Sequence, residues 1–340
     1  MRRLAHINHQ DKKSREKEVP RLVQKIQKYM PLGSTLLALA ALVLCSAQAM
    51  ESARYGLMLC AQMIVPSLLP FFILSSLLRQ LGLPGVLGRL LAPVTERLFG
   101  IGGAGASAFL LGVTGGYPLG AATVVQLYRD GSLTRDEAER ALAFCNNSGP
   151  AFLIGAAGTG IFHSASIGLL LYGVHVLAAV LVGMLFAPRR RRKASAERTQ
   201  IAVVSFAVAL PEAVRASVQT LLTVCGFVVT FSVVTGMLDA AGIFPALAGA
   251  LAGEFGLELH FTRALLTGLL EIGTGLGAMQ GLAATPQNLA LCAFLIGWGG
   301  VSVHCQTAAV LAGTTLKSAR HTAGRFLHGV LSALLIIVFT

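Results

Sequence analysis

Phe144-Cys145-Asn146-Asn147-Ser148-Gly149-Pro150 cannot form one continuous α-helix. An apolar approach ends there in two amides, a hydroxyl, a glycine and a proline, and apolar sequence resumes at Ala151. Asn and Ser offer the backbone alternative hydrogen bonds, and proline removes a donor. A helix therefore runs to Cys145, breaks over Asn146–Pro150 and restarts. Thr134-x-x-Glu137 is a capping box that begins the first half-helix. Further upstream, apolar Gly102–Tyr128 is interrupted at Thr114-Gly115-Gly116-Tyr117-Pro118. Downstream, Ser166–Phe186 is uninterrupted and ends against the basic run Arg189–Lys193.

The composition identifies the solvent around these breaks. Of 340 residues, 54% are hydrophobic and only 12% charged, against about 25% charged in soluble domains. Too little polar surface is available to dissolve such a chain, and its apolar stretches reach the roughly 20 residues that span a bilayer. The reading is an all-α polytopic membrane protein. Its net charge of +12 flanks apolar spans, as the positive-inside rule expects, and argues against nucleic acid as a partner. The six cysteines lie singly with no C-x-x-C, so they read as small apolar residues rather than disulfides or a zinc site.

The chain divides into a basic cytoplasmic tail (1–30), a first transmembrane helix (31–55, its apolar part Leu32–Met50), a first repeat (56–187), a basic cytoplasmic linker (188–210) and a second repeat (211–340). Gly56–Leu78 is the second span, and Pro84–Leu98, with Arg89 and Arg97, lies in the interface. The second repeat has the same order. Val214–Leu238 spans, Phe244–Phe255 is interfacial, Thr262–Gly281 is interrupted at Glu271-Ile272-Gly273-Thr274-Gly275, and Pro286–Ala312 is interrupted at Gly297-Trp298-Gly299-Gly300. Lys317, Arg320 and Arg325 then form a basic loop, and Phe326–Thr340 is a short final span.

Charge gives the halves opposite orientations. With the N-terminus cytoplasmic, Arg97, Arg129 and Arg135 place both ends of Gly102–Tyr128 inside, as a re-entrant hairpin. Arg189–Lys193 and Lys317–Arg325 also fall inside, so Thr262–Gly281 becomes a hairpin from the other side. The expected fold is an inverted repeat of re-entrant hairpin plus broken transmembrane helix, an arrangement found in transporters, with the site where the breaks meet.

Helix breaks at membrane depth persist only where protein or a wet cavity satisfies the backbone. Asn146, Asn147 and Ser148 add side-chain groups that suit Na⁺ or a polar solute, or that simply cap two half-helices. Glu271 is the only acid near the middle of a second-half membrane segment, and intramembrane carboxylates are functional by default. It could pair with a cation, carry H⁺ or bind a solute hydroxyl. Thr114, Gly115, Gly116 and Tyr117 in the first hairpin, Gly273 and Thr274 in the second, and Trp298, Ser302, His304 and Gln306 at the second break complete the solute-binding candidates. Gly112, Gly116, Gly120 and Gly273, Gly277, Gly281 have small-xxx-small spacing, read as close helix packing. No P-loop, H-E-x-x-H or G-x-S-x-G is present, so no enzyme and no resident cofactor are expected.

Gly115-Gly116-Tyr117-Pro118-Leu119-Gly120-Ala121 and Ala143-Phe144-Cys145-Asn146-Asn147-Ser148-Gly149-Pro150 resemble the YlbJ-like sporulation integral membrane proteins. Gly268–Gly277 and Gly299-Gly300-Val301-Ser302-Val303-His304-Cys305-Gln306 are similar to that family's second half, and the resemblance spans roughly residues 32–340. It implies the gate domain shared with concentrative nucleoside transporters and the ferrous iron transporter's membrane part, and a role in spore cortex formation. In the nucleoside carriers, hairpin tips and helix breaks hold nucleoside and Na⁺. On this chain those positions are Thr114–Tyr117, Asn146–Ser148, Glu271–Thr274 and Trp298–Ser302. The second break has no counterpart of Asn146 and Asn147, and Glu271 alone could stand for the acids that grip ribose.

The sequence thus predicts a secondary transporter or permease for a small polar, nucleoside-like or cell-wall-related solute, in the cell membrane or a spore membrane. Na⁺ or H⁺ would be the coupling ion, and lipid, other sporulation membrane proteins or a second copy the partners. A non-transporting scaffold or receptor, or a partner-gated channel, is the alternative.

Overall fold

A computed structural model describes residues 29–30, 32–188 and 204–340. Residues up to Met50 form one compact unit and Glu51–Thr340 a second. The first contains helix α1 (Leu32–Leu44). Residues 1–28 and the Arg189–Lys193 run, both read as cytoplasmic, lie outside the described residues.

Among the described residues there are helices and no strands. Helix α2 (Ser46–Leu59), a π-helical turn (Cys60–Ile64) and α3 (Val65–Gln80) follow one another without a loop. No turn separates the first two spans near residues 50–56, where they were expected to meet; the turn falls at Cys45 instead. The π turn accompanies the prolines: Pro66 enters in the first turn of α3, where a missing N–H costs little.

From α3 onward the order of elements occurs twice. First come α3, α4 (Leu83–Phe99), the hairpin α5 (Gly103–Gly115) and α6 (Leu119–Arg129), the broken helix α7 (Arg135–Cys145) with a π-helical continuation (Ala151–Ile161), and α8 (Ala165–Leu185). Then come α9 (Phe206–Ala240), α10 (Ile243–Phe255), the hairpin α11 (Leu259–Leu270) and α12 (Ile272–Gly277), the broken helix α13 (Pro286–Trp298) and α14 (Gly300–Leu311), and α15 (Ala319–Phe339). Helices α4 and α10 are bounded alike, by left-handed Gly82 and Gly100 and by Gly242 and Gly256. Two expected limits shift. Helix α9 begins at Phe206, inside the stretch assigned to the linker, and runs through Pro211. Helix α15 begins at Ala319, so Arg325 is helical rather than in a loop.

Helix α15 shows that the repeat is inverted. Against α7 it runs parallel: the His321 ring meets the Leu142 carbonyl at 3.1 Å, Gly324 abuts Ala143, and Arg325 reaches the Asn146 carbonyl. Against α13 it runs antiparallel. Arg325 meets Ile296, Gly329 abuts Phe294, and Ala333 and Ile336 join the apolar cluster of Leu289 and Ala290. The corresponding helices α7 and α13 therefore point in opposite directions.

Charged segments within the two halves share one face. Arg320 binds Asp136 at 2.7 Å, the Lys317 amide donates to Glu139 at 3.1 Å, and Tyr128 meets Thr315 at 2.8 Å. Four helices among the described residues are long and apolar enough to cross a membrane, and up to six do so if bent pairs count as single spans.

Candidate functional site

The first hairpin turns at Gly116, whose φ of +82° is the left-handed region that glycine enters freely. On either side, Gly112 and Gly120 press on the Cys145 carbonyl, where a Cβ would collide. The hairpin tip is thereby seated on the end of α7. The Thr134–Glu137 capping box fixes the other end of α7, with both reciprocal bonds formed.

Beyond Cys145 the chain is non-helical for four residues, and every one of them is buried. The Asn146 amide donates to Thr307 on α14 at 3.0 Å, and its Oδ1 accepts from the Ala121 amide at 3.4 Å. Asn147 Nδ2 donates to the Phe144 carbonyl at 2.7 Å. The Ser148 amide donates to His175 Nε2 at 3.0 Å, which places that ring's proton on Nδ1. The side-chain amides of Asn146 and Asn147 thus tie the first break to its neighbours.

In the second hairpin, Glu271 is extended (φ −142°, ψ 120°) and caps α12 by accepting from the Thr274 amide at 2.6 Å. Thr274 Oγ1 donates back to the Glu271 carbonyl at 3.1 Å. Glu271 is 1% exposed and forms no ion pair among the described residues. At the second break Gly299 and Gly300 both have positive φ, +86° and +74°. Trp298 Nε1 donates to the Leu269 carbonyl at 3.1 Å, pinning this break to the hairpin.

Both hairpin tips, the first break and the helix that follows the second break meet at a cavity of about 30 Å³. Gly116 and Tyr117 come from the first hairpin, Glu271 and Gly273 from the second, Ser148 from the first break and Gln306 from α14. Apolar Leu68, Val224 and Val228 on α3 and α9 close one wall. Gln306 Oε1 is buried without a protein partner, and the Tyr117 and Ser148 hydroxyls are buried beside each other with no further partner. Ser302 Oγ is buried beside the Glu271 carboxylate.

Other predicted residues stand back from this cavity. Thr114 Oγ1 is spent on the Leu110 carbonyl of its own helix, and Gly115 packs on Leu119 and Ser75. His304 stacks on Trp298 with centroids 4.2 Å apart. Gly281, expected to pack, has open space around it, and its φ of +83° explains the glycine instead.

Sequence reasoning missed a polar cluster on α15 and α8. Arg325 has no exposed surface, its guanidinium lies 5.9 Å from the Tyr117 ring centroid, and His175 and His328 stack at 4.2 Å. The one available signal was the spacing of His321, Arg325 and His328, which puts all three on one helix face.

The fold and this junction define an all-α polytopic membrane protein of the gate type. The family model described as "Gate: Nucleoside recognition" matches residues 61–209. The chain is also 31% identical over 332 residues to the sporulation integral membrane protein YlbJ of Bacillus subtilis (strain 168), covering 90% of this chain and 81% of that protein. The chain belongs to the YlbJ family of sporulation integral membrane proteins. No solved structure matches it.

Proposed function

We propose that this protein is a carrier for a small polar solute, serving a sporulating cell, with solute bound where the hairpin tips meet the helix breaks. The observation that supports it most is that the Tyr117 and Ser148 hydroxyls, which have at most each other, and the unpartnered Gln306 amide oxygen converge on one cavity from both halves. Buried polar atoms without partners are uncommon and costly. Here Tyr117, Ser148 and Gln306 supply the hydrogen bonds that a polar solute needs, and Glu271 supplies a carboxylate.

A path to this junction supports the same reading. A second cavity, about 220 Å³ and open, lies between α3, α6, α9 and α14 and is lined by Ser76, Arg79, Gln126 and Arg129. On α3 it is lined by Phe72 and the inner cavity by Leu68; on α9 by Thr220 and the inner cavity by Val224. The two spaces are thus one helical turn apart. Buried Phe72 and Leu221 belong to the apolar cluster between α3 and α9 that separates them. The inner cavity has room for about one water. A nucleoside-sized solute therefore requires the hairpins and this apolar layer to move apart, which is the motion a carrier makes.

Thermal unfolding of the detergent-purified protein tests the reading, against nucleosides, sugar nucleotides, muropeptides and dipicolinate. A solute at 100 times its Kd adds about 2.7 kcal/mol of stability. The expected result is a rise in Tm with one class, lost in Ser148→Ala and Glu271→Gln variants that still unfold cooperatively. No rise with any solute would favour the scaffold reading.

A further inference from the structure

Arg325 is a charged side chain with no exposed surface and, among the described residues, no carboxylate partner. An isolated buried charge is expensive, so something else must stabilise it. Its Nη1 donates to the Asn146 carbonyl at 2.8 Å, and its Nη2 to the Ile296 carbonyl at 3.0 Å. Asn147 Oδ1 lies 3.4 Å from Nη1, and His328 Nδ1 lies 3.3 Å from it. Asn146 is the C-cap of α7, and Ile296 is in the last turn of α13. Each helix C-terminus carries roughly half a negative charge, so two together offset roughly one positive charge. The two ends are equivalent points of the inverted repeat, and the guanidinium bridges them.

In carriers built on broken helices, the freed carbonyls and half-helix C-termini are where a coupling cation binds. We propose that Arg325 is a built-in cation occupying this position, so that the junction between the first and second breaks takes up no alkali ion and the fold does not depend on Na⁺. The residues suited to Na⁺ by sequence, Asn146 and Asn147, instead direct a carbonyl and an amide oxygen at this guanidinium. Helix α15 is thereby also the strut that holds α7 and α13 in register at their breaks. The inference concerns coordination within the protein. It rests on the carrier reading only for its corollary that solute binding is independent of Na⁺.

The test is thermal unfolding of the full-length purified protein without solute, at fixed ionic strength, in sodium, potassium or choline chloride, and with millimolar guanidinium added to choline. Wild type should melt at the same temperature in all four. Arg325→Ala should melt several degrees lower in choline and regain part of the loss, saturably, with guanidinium or Na⁺. Arg325→Met, which fills space without charge, should regain none, and Arg325→Lys should lie between Arg325→Ala and wild type. A saturable, Na⁺-specific rise in wild-type Tm would overturn the proposal, as would an Arg325→Met protein as stable as wild type. If Arg325→Ala fails to fold, the wild-type and Arg325→Lys measurements still decide. None of these readings requires transport, so a failed solute panel leaves the result standing.

Discussion

Gly120 and Gly253 have the same side chain and opposite surroundings. A Cβ at Gly120 would strike the Cys145 carbonyl, whereas nothing lies within 4 Å of one at Gly253. Overpacking a close contact costs about 1–3 kcal/mol. Gly120→Ala should therefore lower stability by that amount and Gly253→Ala should leave it nearly unchanged, as read from thermal unfolding side by side. The breaks were legible at this scale because Gly, Pro and Asn announce their own backbone geometry: Gly116, Asn146 to Gly149, Glu271 and Gly299 all fall where sequence placed an interruption. Arg325 was not legible. Its charge argued for a loop, and the carbonyls that satisfy it belong to residues 179 and 29 positions away. They become available only because other helices are broken.

Between elements, the clearest tie is the one joining α7 to the start of α15. Asp136 accepts from Arg320 across the halves and pairs with Arg140 in its own helix. Partial burial pushes the Asp136 carboxyl up, but the Arg320 hydrogen bond and the Arg140 charge outweigh it, and the group sits below its ordinary value. Glu139 behaves likewise: burial raises it, while Arg135 and the Lys317 amide hold it lower. A depressed carboxyl contributes stability above its unfolded value and loses it as pH falls through the folded one. Melting temperature should thus fall as pH drops from neutral through the carboxylate range. Asp136→Asn should start lower at neutral pH and fall less steeply; identical slopes would contradict the role assigned to this clamp. Solvent screens so exposed a pair, so the effect should be modest. Element limits were the weakest part of the sequence reading. The first two spans were expected to meet between Met50 and Gly56, inside what is continuous helix, and Arg320 and Arg325 delayed the start of α15. Charge marks an interface reliably only when no internal partner awaits it.

For the whole molecule, repetition in sequence became repetition in space. The weak similarity of the halves predicted the order of elements, and the opposite senses of α7 and α13 follow from how α15 touches both. Asp136 and Glu139 at the start of α7 bind Arg320 and the Lys317 amide, so the charged segments of the two halves lie together. The cavity's size and its apolar wall were not legible, because Leu68, Phe72, Leu221 and Val224 resemble any other bilayer-facing residues until α3 and α9 are packed together. That wall makes the carrier reading testable by flux. Uptake into lipid vesicles holding the purified protein should be measured for each solute that raises Tm, with wild type beside Phe72→Ala. The account predicts uptake above protein-free vesicles by wild type, and faster uptake when the apolar layer is thinned. Cooperatively folded protein that carries no solute in either form would contradict it.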